Sequence, residues 1–150
     1  GEGHMAGRKT ATESQADFKR LIVCAQQVFA HFADRLGIAP ELALRTASCF
    51  GSGLGRADVC GCVTGGLMVL GLAHGNAGAW SREEQRALYA RRDAFTGAFA
   101  RAHGGLLCRE ILGYDLTIPD QRAVIVEKGL FTSVCAPLVC ATCDMLEDLL

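Results

Sequence analysis

The sequence predicts an all-α protein, a compact bundle of about five to seven helices around a central glycine-rich helix, orthogonal or up-and-down in arrangement. Three observations predict it. Apolar residues recur at helical spacing along the chain. Residues that start and stop helices punctuate the apolar runs. Strand-like alternation is missing, apart from an ambiguous stretch from Ala123 to Val126.

Each element has its own justification. Thr12 and Gln15 have the spacing of a capping box. Behind them, Phe18, Leu21, Cys24, Val28 and Phe32 step along one helix face at spacings of 3, 3, 4 and 4. Gly37 ends that helix, and Pro40 opens a short second one over Glu41 to Phe50. Gly51 to Gly55 reads as a flexible connection. A glycine-rich helix follows from about Val59 to Leu72. Ser81 with Glu84 opens a long helix to about His103, with Leu88, Phe95 and Phe99 on its inner face. Leu106 to Leu112 is a short helix. Pro119 opens another, stopped by Gly129, and the last runs from about Ser133 to Leu150.

Composition narrows the class. The chain has 150 residues, enough for one domain over residues 5–150. Gly1 to His4 read as a cloning remnant ahead of a start at Met5, so His4 is given no role. Half the residues are apolar and mean hydropathy is +0.22, which excludes a disordered chain. A net charge of −1 gives no reason to expect nucleic acid or an anionic membrane as partner. The longest uncharged run, Val59 to Ser81, is broken by glycines, and its helical part is too short for a membrane span. A homodimer is compatible with the glycine content and the apolar fraction.

The eight cysteines are the abnormal number: Cys24, Cys49, Cys60, Cys62, Cys108, Cys135, Cys140 and Cys143. No secretory leader is visible, so the expected location is cytoplasmic. In that setting, surplus cysteines read as metal ligands, redox thiols or small core residues. Cys140 and Cys143 fall on one side of a helix and read either as core or as a dithiol. Asp144 follows them instead of histidine, so no haem attachment site is present. Cys60 and Cys62 would diverge by about 160–200° inside a helix and share a partner only at a helix start. Thiols at a helix start are acidified by the dipole, which applies to Cys60 and to Cys135.

Other features read more plainly. Gly51-Ser52-Gly53-Leu54-Gly55 lacks the strand that a dinucleotide loop needs, and reads as a turn. Gly61, Gly65 and Gly66 either let another backbone approach or clear space for a cofactor beside Cys60. His31, His74 and His103 have no histidine partner at helical spacing.

These residues resemble the C_GCAxxG_C_C family of redox-active proteins. The matching motif is Cys60-Gly61-Cys62-Val63-Thr64-Gly65, preceded by the family-like stretch from Ala47 to Gly55. Cys24, Cys108 and Cys135 match the other family cysteines, and the resemblance runs from about Phe18 to Leu150. One departure is that Cys62 stands where the motif has alanine. Cys49, Cys140 and Cys143 also lie outside the family positions. The family is typical of anaerobic bacteria and archaea. A similar domain lies beside haem segments in a split-Soret type cytochrome, where an iron–sulfur cluster has been proposed.

The resemblance implies a cysteine-based redox protein more than a stand-alone enzyme. The implied site is Cys24, Cys60, Cys108 and Cys135, as iron–sulfur ligands for electron transfer or as redox thiols cycling with a disulfide. Cys62, Cys140 and Cys143 are weaker candidates. Four thiolates suit a [2Fe–2S] or [4Fe–4S] cluster or a tetrahedral zinc. The alternatives are a non-catalytic module for zinc or a soft metal, and a dimerisation domain with inert core thiols. The redox partner is not named by the sequence.

Overall fold

The computed structural model describes residues 7–150. The remnant assigned to Gly1 to His4 lies outside the described residues. Eight α-helices are present among those described: α1 (Ala11–Lys19), α2 (Cys24–Ala33), α3 (Pro40–Thr46), α4 (Gly61–His74), α5 (Arg82–His103), α6 (Cys108–Leu112), α7 (Pro119–Glu127) and α8 (Ala136–Glu147). A left-handed turn lies at Gly53–Ala57, and a π-type turn spans Phe131–Cys135. The fold class is therefore all-α, with more helices than expected. No strand forms among the described residues, and the ambiguous Ala123 to Val126 stretch is helical.

The extra helix comes from a break in the first one. Leu21 adopts φ +64. Its N–H donates to Phe18 O and the Ile22 N–H to Asp17 O, a Schellman end built on leucine where glycine is usual. The face running from Phe18 to Phe32 is thus two helices. Cys24 stands at the first position of α2 instead of mid-helix. The cap also sits earlier than Thr12. Thr10 Oγ1 accepts from the Glu13 N–H, and Glu13 accepts in return. Two Thr-x-x-acceptor frames overlap there, and the charged one is favoured by the helix dipole. A buried pair joins α1 to α2: Ser14 Oγ donates to Gln27 Oε1 at 2.6 Å, and Gln27 Nε2 donates to Ile22 O at 2.8 Å.

Helix α4 packs on α2, α5 and α8. Its glycines make this possible. A Cβ on Gly61 would lie 2.9 Å from Ala25 N, and one on Gly65 would lie 2.8 Å from Ala25 O. Gly66 accepts the Phe95 ring. The tight-packing reading therefore holds for all three. Gly65 and Gly66 are filled by protein on that side, while Gly61 meets Ala25 and also lines the cavity that holds Cys60. The main core comprises Val28, Phe32, Val63, Leu70, Phe95, Phe99, Val139 and Leu146 with their neighbours. Phe95 and Phe99 are buried as expected, whereas Leu88 is only half-buried. A second cluster, Leu112, Leu116, Ile125 and Cys135, lies beside it.

Gly71 differs from the other glycines of α4. Nothing lies within 4 Å of a Cβ placed there. Gly71→Ala is expected to stabilise the protein by about 0.5–1 kcal/mol through helix propensity alone. Urea denaturation would register it as a raised midpoint with an unchanged slope. No single helix among those described is long and apolar enough to cross a membrane.

Candidate functional site

Four helices deliver the four implied cysteines. Cys24 is the first residue of α2 and Cys60 caps α4. Cys108 is the first residue of α6, and Cys135 caps α8 at the end of a π-type turn. The local sequence explains several of these placements. Gln26 Oε1 accepts from the Val23 N–H at 2.9 Å, which starts α2 one residue before Cys24's own turn. Val59 pairs with Leu107 in one antiparallel bridge. Cys60 N–H donates to Leu106 O at 2.8 Å, and Cys108 N–H donates to Asp58 O at 2.7 Å. This pairing sets Cys60 and Cys108 side by side.

The connection before Cys60 is a tightly held turn. Ser52, Gly53, Leu54 and Gly55 all have positive φ, from +53 to +69. The turn reading of the glycine-rich segment holds, but the segment is not an open connection. Arg109 Nη1 donates to Ala57 O at 3.1 Å, and a Cβ on Gly53 would lie 2.9 Å from Cys108 Cβ. Non-glycine residues with positive φ are costly and cluster near functional sites. Here Ser52 and Gly53 form part of a cavity wall.

That cavity has a volume of about 230 Å³, and Cys24, Cys60, Cys108 and Cys135 all line it. It opens at the seam between the two apolar clusters. Leu112 and Leu116 come from the smaller one, Leu138 from the larger. All eight cysteines carry free thiols. Among the described residues, no three side chains of His, Cys, Asp or Glu are placed to hold a single metal ion.

The thiols bear on one another. The neighbouring Cys135 and Cys62 thiols hold the Cys24 thiol well below its usual value. Cys135 is pushed up in turn, by its bond to Cys24 and by burial. Cys62 is pushed up by its bonds to Cys24 and Cys60. Burial, then the neighbouring Cys60 and Cys24, pushes Cys108 up to about 12. Of these four thiols, only Cys24 is shifted towards ionisation. A second thiolate beside it would be costly in so apolar a place.

Cys62 bears on the site more closely than its helical spacing suggests. It is fully buried and reaches both Cys24 and Cys60. Cys60 caps the helix with ψ 139, so the two side chains escape the divergence of an interior pair. Cys49 is exposed after α3 and does not line the cavity. Cys140 and Cys143 lie along α8, also outside the lining. Cys143 packs in the main core and its thiol is pushed up to about 12 by burial. Sequence reasoning missed Arg122, Leu21 and Phe131 in the cavity wall. Helical spacing carries no signal for them, because each comes from a different element.

The raised Cys143 thiol gives a pH dependence. A thiol raised on folding adds stability that is complete below its unfolded value and is lost as pH rises towards its folded one. The midpoint of thermal unfolding of the reduced chain is expected to fall between pH 9 and 12. Cys143→Ala should reduce that fall, and an unchanged slope would contradict the assignment.

Neither the curated proteins nor the solved structures contain a match to this chain. A family profile described as "Putative redox-active protein (C_GCAxxG_C_C)" matches residues 22–149, a span that includes the motif at Cys60 and every cysteine of the cavity. The chain belongs to the C_GCAxxG_C_C family of redox-active proteins.

Proposed function

We propose that this chain is an electron-transfer protein whose redox centre is an iron–sulfur cluster held by Cys24, Cys60, Cys108 and Cys135. The observation that carries this reading is that the four cysteines, from four separate helices, line one apolar cavity of about 230 Å³. The donor set fits. Four thiols are the usual ligands of such clusters. A single tetrahedral zinc, with bonds of about 2.3 Å, would draw its sulfurs to within roughly 3.8 Å of one another. Iron, zinc and sulfide counts on the isolated protein separate zinc from the cluster.

When bound, the cluster would supply one-electron chemistry. The chain supplies the rest. The N-terminus of α2 favours negative charge on Cys24. The buried Cys62 thiol lies beside Cys24, and thiols next to ligand sulfurs tune a centre's potential. Apolar residues such as Phe18 and Leu138 keep water away.

The test is anaerobic purification, followed by an absorption spectrum with iron, zinc and acid-labile sulfide counts on one sample. Visible sulfur-to-iron absorption with matching iron and sulfide is expected. A colourless sample without iron would sink the cluster.

A second reading is favoured by the direct approach of Cys135 to Cys24. Two thiols there can form one S–S bond, releasing two protons and passing two electrons to a disulfide or other two-electron acceptor. Mass spectrometry of the oxidised chain would then find a Cys24–Cys135 bridge that a dithiol reductant reverses.

A further inference from the structure

We propose that the outer part of the cysteine-lined cavity binds a small, mainly apolar molecule carrying a single negative charge, with Arg122 as its counter-charge. The inference rests on the redox reading in one respect: the molecule would lie over the thiols as the centre's small-molecule partner.

The wall is apolar. Leu21, Ile111, Leu112, Leu116, Phe131 and Leu138 supply much of it. Leu21 is the telling residue. It is 85% exposed and lines the cavity, yet it holds φ +64. Glycine would relax that backbone, and the leucine side chain packs into no core. A bound apolar molecule would give it a partner.

Arg122 is the lone cation in the cavity wall. Among the described residues, its side chain makes neither an ion pair nor a hydrogen bond, and it is exposed. The Asp115 carboxylate, which bears on Cys108, is instead held by the N–H and hydroxyl of Thr117. The guanidinium therefore has its charge available at an apolar opening, where an anionic end group would meet it. Size sets the class. The whole cavity is about 230 Å³, below the roughly 300 Å³ of drug-sized pockets, so its outer part suits only a short-chain molecule.

Calorimetric titration of the full chain, isolated anaerobically, with hexanoate and with hexanol tests this. Hexanoate is expected to saturate one site and to bind more tightly than hexanol. Arg122→Met should weaken hexanoate about three- to fivefold and leave hexanol unchanged, while Arg122→Lys keeps most of the affinity. Leu21→Gly, which relieves the backbone and so does not threaten the fold, should weaken both. No saturable heat with hexanoate, or equal hexanoate affinity in Arg122→Met, overturns the proposal. The measurement does not depend on iron. A colourless chain that still binds hexanoate through Arg122 would remove the cluster and keep this site.

Discussion

Cys24→Ser is expected to abolish the visible absorption of the anaerobically isolated protein and to remove most of its iron and sulfide. The reason is position. Cys24 starts α2, lines the cavity and receives the thiols of Cys135 and Cys62. Serine keeps the size but offers a hydroxyl that ionises far less readily than a thiol. The fold should survive, because Cys24 is only half-buried and helix α2 keeps its Gln26 bond to the Val23 N–H. Circular dichroism would check that the helices persist. The same replacement at Cys49, which is exposed and away from the cavity, should leave the spectrum unchanged. Should Cys24→Ser keep its colour and its iron, Cys24 is not a ligand.

Gly65→Val is expected to damage both the fold and the site. A Cβ at Gly65 would lie 2.8 Å from Ala25 O, 3.0 Å from Ala25 Cα and 3.2 Å from Val28 Cβ. Two of these are backbone atoms of α2, so no flexible side chain can give way. Overpacking of this kind costs about 1–3 kcal/mol, and the backbone contact puts this case at the upper end. For a chain of this length that is a fall of about 6–12 °C in Tm. The effect should extend to the site. Ala25 follows Cys24 directly, so pushing α2 away from α4 separates Cys24 from Cys60 and Cys62. Loss of stability with loss of iron binding is expected, against the mild gain predicted for Gly71→Ala. Equal stability of Gly65→Val and the parent would show that α2 and α4 do not meet as described.

Much of the architecture was legible because local rules decide it. The capping pair Ser81 and Glu84, the first-turn prolines Pro40 and Pro119, and the stop at Gly129 act within one turn of the chain. Helix α5 accordingly runs from Arg82 to His103, close to its expected bounds. The break at Leu21 was not legible. Its apolar spacing continues smoothly through Arg20 to Val23, and leucine rarely takes positive φ. Only the packing of α1 on α8, with Ser14 bonded to the buried Gln27, makes the turn worth its strain.

The candidate site divides in the same way. Motif spacing and family resemblance pointed to Cys24, Cys60, Cys108 and Cys135, and the glycines beside Cys60 pointed to a close helix contact. That these cysteines share one cavity is a property of the fold. It depends on the bridge between Val59 and Leu107, on Gly61 admitting α2, and on the turn that ends at Cys135. Cys62 illustrates the difference. The sequence allowed it to share a partner with Cys60 only at a helix start, and the extended cap at Cys60 puts the pair there. The amino-acid order by itself determined most of the helices, caps such as Ser81 with Glu84, and which residue types carry the chemistry, since these follow from interactions a few residues apart. Which thiols meet, and that Leu21 and Arg122 stand at the mouth of their cavity, was decided only by tertiary packing. Contacts between residues distant in the chain arise from burial of apolar faces against one another, and that geometry has no local signature.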